Sequence, residues 1–237
     1  MEKIIAIIPA AGVGKRLGLG INKAFAMLSN APLIVHCLQM LAETELISRA
    51  IVVLAPDEVN EGRSLLSDYQ QEYFPQLSFT VVAGGKERQD SVYNALQTIT
   101  ETEGYVAVHD GARPFAGYDV FFNTLSKAKE YGAAIAAVPV KDTIKVVNAQ
   151  MEVVDTPVRS SLQAVQTPQI FEIKLLKEAY AFLDSHPAAV TDDASVVELL
   201  GKKVAVAQGR YENIKVTTPE DLIFAENLLK QKGETNG

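Results

Sequence analysis

The 237-residue sequence has one cysteine, Cys37, and no tryptophan. A single cysteine excludes an internal disulfide, and a chain of this length can bury one large core without such a cross-link. No apolar run is long enough to span a bilayer. The first residues lack the long apolar core and the small-residue cleavage site of a secretory signal. We therefore expect a cytoplasmic protein that does not bind membranes.

Positive charge is also scarce. The chain has 22 lysines and arginines against 29 acidic residues, which gives a net charge of −7. Proteins that bind nucleic acid without sequence specificity are usually basic, so we expect no nucleic-acid partner. An acidic protein that binds a polyphosphate must gather a few basic side chains at one place or recruit a metal cation.

Short apolar runs alternate with segments of helical spacing along the chain. Nearly continuous apolar runs are typical of strands that are covered on both faces. Their alternation with helices predicts an α/β fold, a doubly wound, mostly parallel, Rossmann-like sheet, and a single domain over residues 1–237. The predicted strands are Ile4–Ile8, Ala50–Ala55, Ser78–Val82, Tyr105–Val108, Ala133–Val138 and Val204–Ala207. The predicted helices are Pro32–Ala42, Asp119–Tyr131, Glu172–Leu183, Asp193–Leu200 and a last helix that begins after Thr218 and stops at Gly233.

One segment does not follow this alternation. Thr143–Thr156, TIKVVNAQMEVVDT, has the pattern of two strands around a polar turn at residues 148–150. It predicts an antiparallel hairpin that protrudes from the main sheet. A lone hairpin is marginal in water, so this one is expected to pack on its own domain or on a second subunit.

The loop after the first strand, IIPAAGVGKRLG at Ile7–Gly18, has the small residues that let backbone N–H groups approach a triphosphate. It is not a Walker loop, because Pro9 replaces the first glycine and Arg16 the hydroxyl residue. It is not a dinucleotide fingerprint either, since Leu17 stands at the third glycine. Two interpretations remain. One is a phosphate-binding loop flanked by Arg16 and Lys23; the other is an ordinary glycine turn with solvated basic residues.

Six motifs occur in an order and spacing that resemble the 2-C-methyl-D-erythritol 4-phosphate cytidylyltransferase family of the non-mevalonate isoprenoid pathway. The resemblance runs from about Lys3 to Leu229, which is nearly the whole chain. The motifs are PAAGVGKRLG (9–18) followed by Lys23, GGKERQDSV (84–92), VHDGARP (108–114), QTPQ (166–169), TDDAS (191–195) and NIKVTTPED (213–221).

The resemblance implies transfer of a cytidylyl group from CTP to 2-C-methyl-D-erythritol 4-phosphate. The acceptor phosphate attacks the α-phosphorus in line, giving 4-diphosphocytidyl-2-C-methyl-D-erythritol and pyrophosphate. The resemblance also implies a homodimer in which residues 140–160 form the dimerisation arm. A carboxylate beside a triphosphate suits Mg²⁺ or another divalent cation, and Asp110 is the metal-binding candidate. His109 is expected to be structural rather than a general base.

The resemblance assigns residues to three roles. The implied catalytic residues are Arg16, Lys23 and Lys215. The implied CTP-binding residues are Pro9, Ala10, Ala11, Gly12, Gly14, Gly85, Lys86, Ser91, Asp110 and Ala112. The implied acceptor-binding residues are Asp110, Arg113, Thr143, Arg159 and Thr191, with Thr143 and Arg159 contributed across the dimer interface.

The sequence departs from the family pattern at Asn22-Lys23-Ala24, where the family usually has Pro-Lys-Gln. The cation is kept, but the stiff proline and the glutamine amide are absent. Ribitol 5-phosphate cytidylyltransferases share the loop and the mechanism, but they usually have Asp-Ser-Val-Arg where this chain has Asp-Gly-Ala-Arg at 110–113. A non-catalytic nucleotide-binding protein of the same fold is a further alternative, because a fold does not fix its chemistry.

Overall fold

The computed structural model describes residues 4–12 and 22–235, with side chains described through residue 231. A seven-stranded sheet forms its centre. In chain order, the strands of the described residues are β1 (Ile4–Pro9), β2 (Met27–Leu28), β3 (Ala31–Pro32), β4 (Ile47–Leu54), β5 (Ser78–Ala83), β6 (Tyr105–Val108), β7 (Ala133–Pro139), β8 (Val146–Val147), β9 (Val153–Asp155), β10 (Gln163–Glu172) and β11 (Ala205–Gln208).

Seven α-helices are present in the same described part of the chain: α1 (Leu33–Glu43), α2 (Val59–Tyr73), α3 (Arg88–Gln97), α4 (Gly117–Tyr131), α5 (Ile173–Ser185), α6 (Asp193–Glu198) and α7 (Pro219–Thr235). The sequence pattern places Pro32 inside the first helix, but it ends β3 with an extended ψ of 148° and precedes the helix. Thr218 and Asp221 exchange hydrogen bonds at the start of α7, as the capping pattern predicts. The predicted stop at Gly233 is wrong, because α7 continues through it to Thr235. None of the described helices is long and apolar enough to cross a membrane.

The strand order in the central sheet is β11-β7-β10-β6-β1-β4-β5. β10 pairs antiparallel with β6 and β7, whereas the other neighbouring strands are parallel. This confirms the predicted α/β fold with a mostly parallel sheet. The six predicted strands are present, but the sequence pattern does not predict β10, because polar residues interrupt the apolar ones throughout its sequence, QAVQTPQIFE. Pro168, which has no N–H for the ladder, lies where the pairing of β10 with β7 is irregular.

Side chains of β1 alternate between two cores. Ile4, Ala6 and Ile8 pack in the cluster that includes residues of α1, α2 and α4. Ile5 and Ile7 pack on the opposite face, with residues of α3, α5 and α6. Burial on both faces explains why the strand is a continuous apolar run, since each buried isoleucine contributes about 1.5–3 kcal/mol.

The chain order around β1 determines where a ligand can enter. β4, the next strand of the sheet along the chain, lies on one side of β1, and β6 lies on the other. Ligands of open α/β sheets bind outside the carboxyl ends of the strands, where the strand order reverses. The loops that follow β1 and β6 are therefore neighbours at this edge.

The predicted hairpin is confirmed as the antiparallel pair β8 and β9. Its turn is held by Asn148, whose side-chain Oδ1 accepts hydrogen bonds from the backbone N–H groups of Gln150 and Glu152. Large apolar side chains on this segment are exposed. They are Ile144, Val146, Val147, Met151, Val153, Val154 and Val158.

Candidate active site

An open cleft of about 190 Å³ lies at the carboxyl ends of β1, β5 and β6. It brings together most of the residues that the sequence predicts for the nucleotide and for catalysis. Arg88, to which the sequence analysis assigned no role, also lines it. The lining residues are Pro9, Ala11, Gly12, Lys23, Gly85, Lys86, Glu87, Arg88, Ser91, Asp110, Gly111, Ala112 and Lys215.

Asp110 is the most strongly paired carboxylate of the cleft. Its Oδ2 lies 2.8 Å from Nζ of Lys215 and 3.3 Å from Nε of Arg113. Its Oδ1 lies 3.9 Å from Nε of Arg88. Burial raises the pKa of Asp110, but the positive charges of Lys215, Arg88 and Arg113 outweigh it and hold that pKa well below its usual range. Asp110 is therefore ionised at neutral pH.

Arg88 connects this carboxylate to a second, fully buried one. Nη2 of Arg88 lies 2.7 Å from Oδ2 of Asp193, and the hydroxyl of Tyr180 donates to the other oxygen of Asp193 at 2.7 Å. Burial lowers the pKa of Arg88, but its ion pair and hydrogen bond with Asp193 reverse the shift and raise it. Sequence reasoning missed this residue because Asp193 is 105 positions away, although Arg88 lies inside a motif of the resemblance.

The turn after β5 approaches α3 very closely. A Cβ atom at Gly84 would lie 2.7 Å from Oγ of Ser91 and 3.0 Å from Cβ of Ala11, so only glycine fits. Oγ of Ser91 accepts a hydrogen bond from the Gly85 N–H at 3.1 Å. The same hydroxyl donates to the carbonyl of Glu87 at 3.1 Å. Ser91 therefore fixes the turn that carries Gly85 and Lys86, two of the predicted CTP-binding residues.

Lys23 opens a 3₁₀ turn, Lys23–Phe25, beside the loop that follows β1. Asn22 caps this turn, because its Oδ1 accepts from the N–H of Ala24 at 3.0 Å. A Cβ atom at Gly12 would lie 4.0 Å from Cε of Lys23, so the end of the lysine stem lies near Gly12. The predicted residues Gly14 and Arg16 lie outside the described residues.

His109 is buried and holds the loop after β6 together. Its Nε2 lies 2.9 Å from the carbonyl of Arg113, and its Nδ1 lies 3.1 Å from Oγ1 of Thr167. That hydroxyl also accepts from the N–H of Asp110 at 3.0 Å. Burial lowers the pKa of His109 to about 4, so the ring is neutral at pH 7. The residue is structural, as expected.

Several predicted site residues do not line the cleft in the described part of the chain. Ala10 is buried behind it, and Arg113 directs Nη1 to the carbonyl of Asn213 at 2.7 Å. Thr143 is exposed, and Arg159 donates to the carbonyl of Lys141 near the base of the hairpin. Thr191 is exposed just before α6, where its N–H donates to Oγ of Ser195.

Asp110 fits a divalent cation only together with ligand oxygens. Across residues 4–12 and 22–235 there is no group of three or more His, Cys, Asp or Glu side chains that could hold a metal. Mg²⁺, however, is commonly held by one or two carboxylates plus substrate phosphates. Oδ1 of Asp110, which is beyond hydrogen-bonding distance of Nε of Arg88, is suited to such a shared site.

The sequence matches a family model described as 2-C-methyl-D-erythritol 4-phosphate cytidylyltransferase (IspD) over residues 4–231. A protein of that name from Bacillus mycoides (strain KBAB4) is 49% identical over 223 residues, which cover 94% of this chain and 96% of the relative. Another from Alkaliphilus oremlandii (strain OhILAs) is 44% identical over 235 residues, covering 99% of this chain and 98% of the relative.

Solved structures agree with these relatives. The 4-diphosphocytidyl-2C-methyl-D-erythritol synthase from Anaerococcus prevotii superposes with a TM-score of 0.82 at 31% identity, covering 97% of this chain and 99% of that one. The 2-C-methyl-D-erythritol 4-phosphate cytidylyltransferase from Thermus thermophilus gives 0.77 at 31% identity, with 96% and 99% covered. The chain therefore belongs to the 2-C-methyl-D-erythritol 4-phosphate cytidylyltransferase family.

Proposed function

We propose that the chain transfers the cytidylyl group of CTP to 2-C-methyl-D-erythritol 4-phosphate, giving 4-diphosphocytidyl-2-C-methyl-D-erythritol and pyrophosphate. One observation carries the proposal. Lys23, Lys86, Arg88 and Lys215 line a single cleft around the ionised Asp110, in a chain whose net charge is −7. Cations concentrated against the overall field suit a triphosphate and an acceptor phosphate. The names of the relatives supply the nucleotide and the acceptor.

The reaction is an in-line displacement at phosphorus. A phosphate oxygen of the acceptor forms a bond to the α-phosphorus of CTP. The bond from that phosphorus to the oxygen bridging to the β-phosphorus breaks, and pyrophosphate leaves with the electron pair. The second pKa of a phosphate monoester is near 6, so the nucleophile is ionised at pH 7 and needs no general base. This agrees with His109, which is buried outside the cleft lining and is hydrogen-bonded at both ring nitrogens.

Catalysis then consists of positioning and charge stabilisation. Lys23, Lys215 and Arg16 are the proposed donors to the phosphate oxygens as negative charge concentrates at the α-phosphorus. The ion pair with Asp110 fixes the ammonium of Lys215, whose side chain is about one-third exposed and lines the cleft. Asp110 would hold Mg²⁺ through Oδ1 together with phosphate oxygens. When bound, the metal would neutralise phosphate charge.

Cytosine recognition is assigned to Gly85, Lys86 and Ser91. The hydroxyl of Ser91 donates a hydrogen bond to the Glu87 carbonyl and accepts one from the Gly85 N–H. A second lone pair remains to accept from the exocyclic amino group of cytosine. Uracil presents a carbonyl at that position, so this arrangement favours CTP over UTP. The other proposed nucleotide contacts are Pro9, Ala10, Ala11, Gly12, Gly14, Asp110 and Ala112.

The acceptor site is proposed to be completed by a second subunit. Residues 140–160 expose a run of apolar side chains, among them Met151 at 77% and Val154 at 60%. A two-stranded hairpin is marginal alone, and exposed apolar patches mark interaction sites. A homodimer would cover this arm and carry Thr143 and Arg159 to the partner's cleft. Asp110, which lines the cleft, is a proposed acceptor contact from the same subunit, together with Arg113 and Thr191, which lie outside the cleft lining.

The function is tested by measuring the release of pyrophosphate from CTP in the presence of Mg²⁺ and an acceptor. We expect release with 2-C-methyl-D-erythritol 4-phosphate and much less with ribitol 5-phosphate or with UTP in place of CTP. Preferential release with ribitol 5-phosphate would overturn the assigned acceptor. No release with either acceptor would favour a non-catalytic nucleotide-binding protein. The ribitol alternative is not favoured, because the relatives and solved structures carry the methylerythritol name.

A further inference from the structure

We propose that Asn22 is a positioning residue. Its side chain joins Ala10, just after β1, to the start of the Lys23–Phe25 turn and thereby orients Lys23 into the cleft. The inference rests on the proposed role of Lys23 in the transfer reaction. It concerns the position at which the chain departs from the family pattern, and it follows from three side-chain hydrogen bonds.

The amide of Asn22 is buried, with 4% of the residue exposed, and its hydrogen-bonding groups are engaged. Nδ2 donates to the carbonyl of Ala10 and to Oε2 of Glu58, both at 2.7 Å. Oδ1 accepts from the N–H of Ala24 at 3.0 Å. An asparagine has two amide hydrogens, so both donors are used. The contacts select one side-chain orientation.

These bonds join three separate segments beside the cleft. Along the chain, Ala10 directly precedes and Asn22 directly follows residues 11–21. Ala10 is itself fixed, since its N–H donates to the carbonyl of Val53 in β4 at 2.8 Å. Glu58 belongs to the 3₁₀ turn that follows β4, Pro56–Glu58. The hydrogen bonds therefore hold Asn22 next to the ends of β1 and β4.

The backbone of Asn22 sets the direction of the next residue. Its carbonyl accepts from the N–H of Phe25 at 2.9 Å, and the carbonyl of Lys23 accepts from Ala26 at 3.1 Å. Asn22 has φ −59° and ψ 127°, values that proline adopts without strain. Proline at this position would preserve the backbone direction but would lack the three amide hydrogen bonds. Substitution can therefore separate the two contributions.

Lys23 lines the cleft and lies against Gly12. Loss of the three hydrogen bonds of the Asn22 side chain would let the turn that carries Lys23 shift relative to Ala10 and Gly12. Misplacing a catalytic group by about 1 Å can lower a rate up to about a hundredfold. The expected loss is in kcat rather than in the KM for the acceptor, because Asn22 itself lines no part of the cleft in the described residues.

The test is a double-substitution cycle of Asn22→Ala and Lys23→Ala, with kcat and both KM values measured for each. We expect Asn22→Ala to lower kcat about tenfold, with an unchanged acceptor KM. In the Lys23→Ala background, the same change should have almost no further effect on kcat. Asn22→Pro should keep more kcat than Asn22→Ala, because the proline ring fixes φ near the −59° that Asn22 adopts. Asn30→Ala is the matched control, since that amide bonds Tyr73 at an exposed site.

Thermal melting of each variant identifies a loss of folding, and Asn22→Pro serves if Asn22→Ala does not fold. Equal kcat losses from Asn22→Ala with and without Lys23 would overturn the inference, as would wild-type kcat in Asn22→Ala. A large loss in Lys23→Ala with full activity in Asn22→Ala would leave the proposed function standing. Full activity in Lys23→Ala would overturn both the role of Lys23 and this inference.

Discussion

The ammonium of Lys215 lies 2.8 Å from Oδ2 of Asp110, and this pair joins the loop after β6 to the segment that precedes α7. The backbone reinforces the same junction, because the N–H of Val216 donates to the carbonyl of Ala112 at 2.9 Å. A flexible lysine is thus held at the cleft by an ionised carboxylate and a fixed backbone.

Replacing Lys215 tests the proposed charge stabilisation. Lys215→Ala is expected to lower kcat on the order of a hundredfold, equivalent to about 3 kcal/mol for one lost donor to developing charge. Lys215→Arg should lose less, because it keeps the charge. Steady-state kinetics at saturating CTP measures both, with the exposed Lys203→Ala as the control. A Lys215→Ala kcat within about threefold of wild type would contradict the assigned role.

His109 should make the folded state sensitive to acid. Its ordinary pKa of 6.5 falls to about 4 in the folded protein because it is buried. Between these two pH values the unfolded chain therefore binds one proton more than the folded chain. The contribution of His109 to the free energy of unfolding is fully present above pH 6.5 and is lost as the pH drops toward 4. The expected loss from this residue is about 3 kcal/mol.

Chemical unfolding at a series of pH values, compared between wild type and His109→Gln, isolates the contribution of this histidine. The unfolding free energy of the variant should fall less steeply between pH 6.5 and pH 4. Nuclear magnetic resonance titration should show the His109 ring still neutral at pH 5.5. Equal slopes in the two proteins, or a His109 ring that protonates near pH 6.5, would exclude this prediction.

Ser91 should discriminate between cytosine and uracil. Removing its hydroxyl in Ser91→Ala leaves the Gly85 N–H without its partner and removes the proposed acceptor for the cytosine amino group. We expect kcat/KM for CTP to fall about tenfold and the CTP to UTP preference to narrow. Competition kinetics with both nucleotides provides the measurement. Ser67→Ala, an exposed serine on α2, is the control, and an unchanged preference in Ser91→Ala would refute the role.

The arm formed by residues 140–160 should be required for association. Val154→Asp places a charge on its exposed apolar surface and should convert a dimer to monomers in sedimentation velocity. The KM for the acceptor should rise about tenfold or more if Thr143 and Arg159 act in the partner's site, whereas CTP binding should persist. Val206→Asp, on the edge strand β11, is the control. A monomeric wild-type protein with full activity would contradict the proposal.

The fold was predictable where strands are covered on both faces. β1 and β6 are buried apolar runs, so composition alone identifies them. β10 lies between two strands of the sheet, yet it contains Gln163, Gln166 and Gln169, so no apolar run marks it. The side chain of Gln166 is used in bonds to Arg210 and Asn213, and that of Gln169 bonds Asp192 and Ala194. These partners are distant in sequence, so no local pattern of residues could predict the strand.

In the candidate site, too, local features were predictable from the sequence, whereas contacts between distant residues were not. Glycine-rich turns and the motif at 108–114 identify the loops that form the cleft, because those features are local. The pairing of Arg88 with Asp193 and the bonds from Asn22 to Glu58 depend on contacts made only after folding. The sequence shows that Asn22 stands in place of a proline, but it could not supply the carbonyl and carboxylate that the amide meets.

The central claim is tested most directly by following the acceptor's phosphate oxygens. The enzyme is given CTP, Mg²⁺ and 2-C-methyl-D-erythritol 4-phosphate labelled with oxygen-18 in its phosphate, and the products are analysed by mass spectrometry. Attack of that phosphate on the α-phosphorus predicts that all of the label appears in 4-diphosphocytidyl-2-C-methyl-D-erythritol and none in pyrophosphate. Labelled pyrophosphate, or the absence of a diphosphocytidyl product, would contradict the proposed reaction.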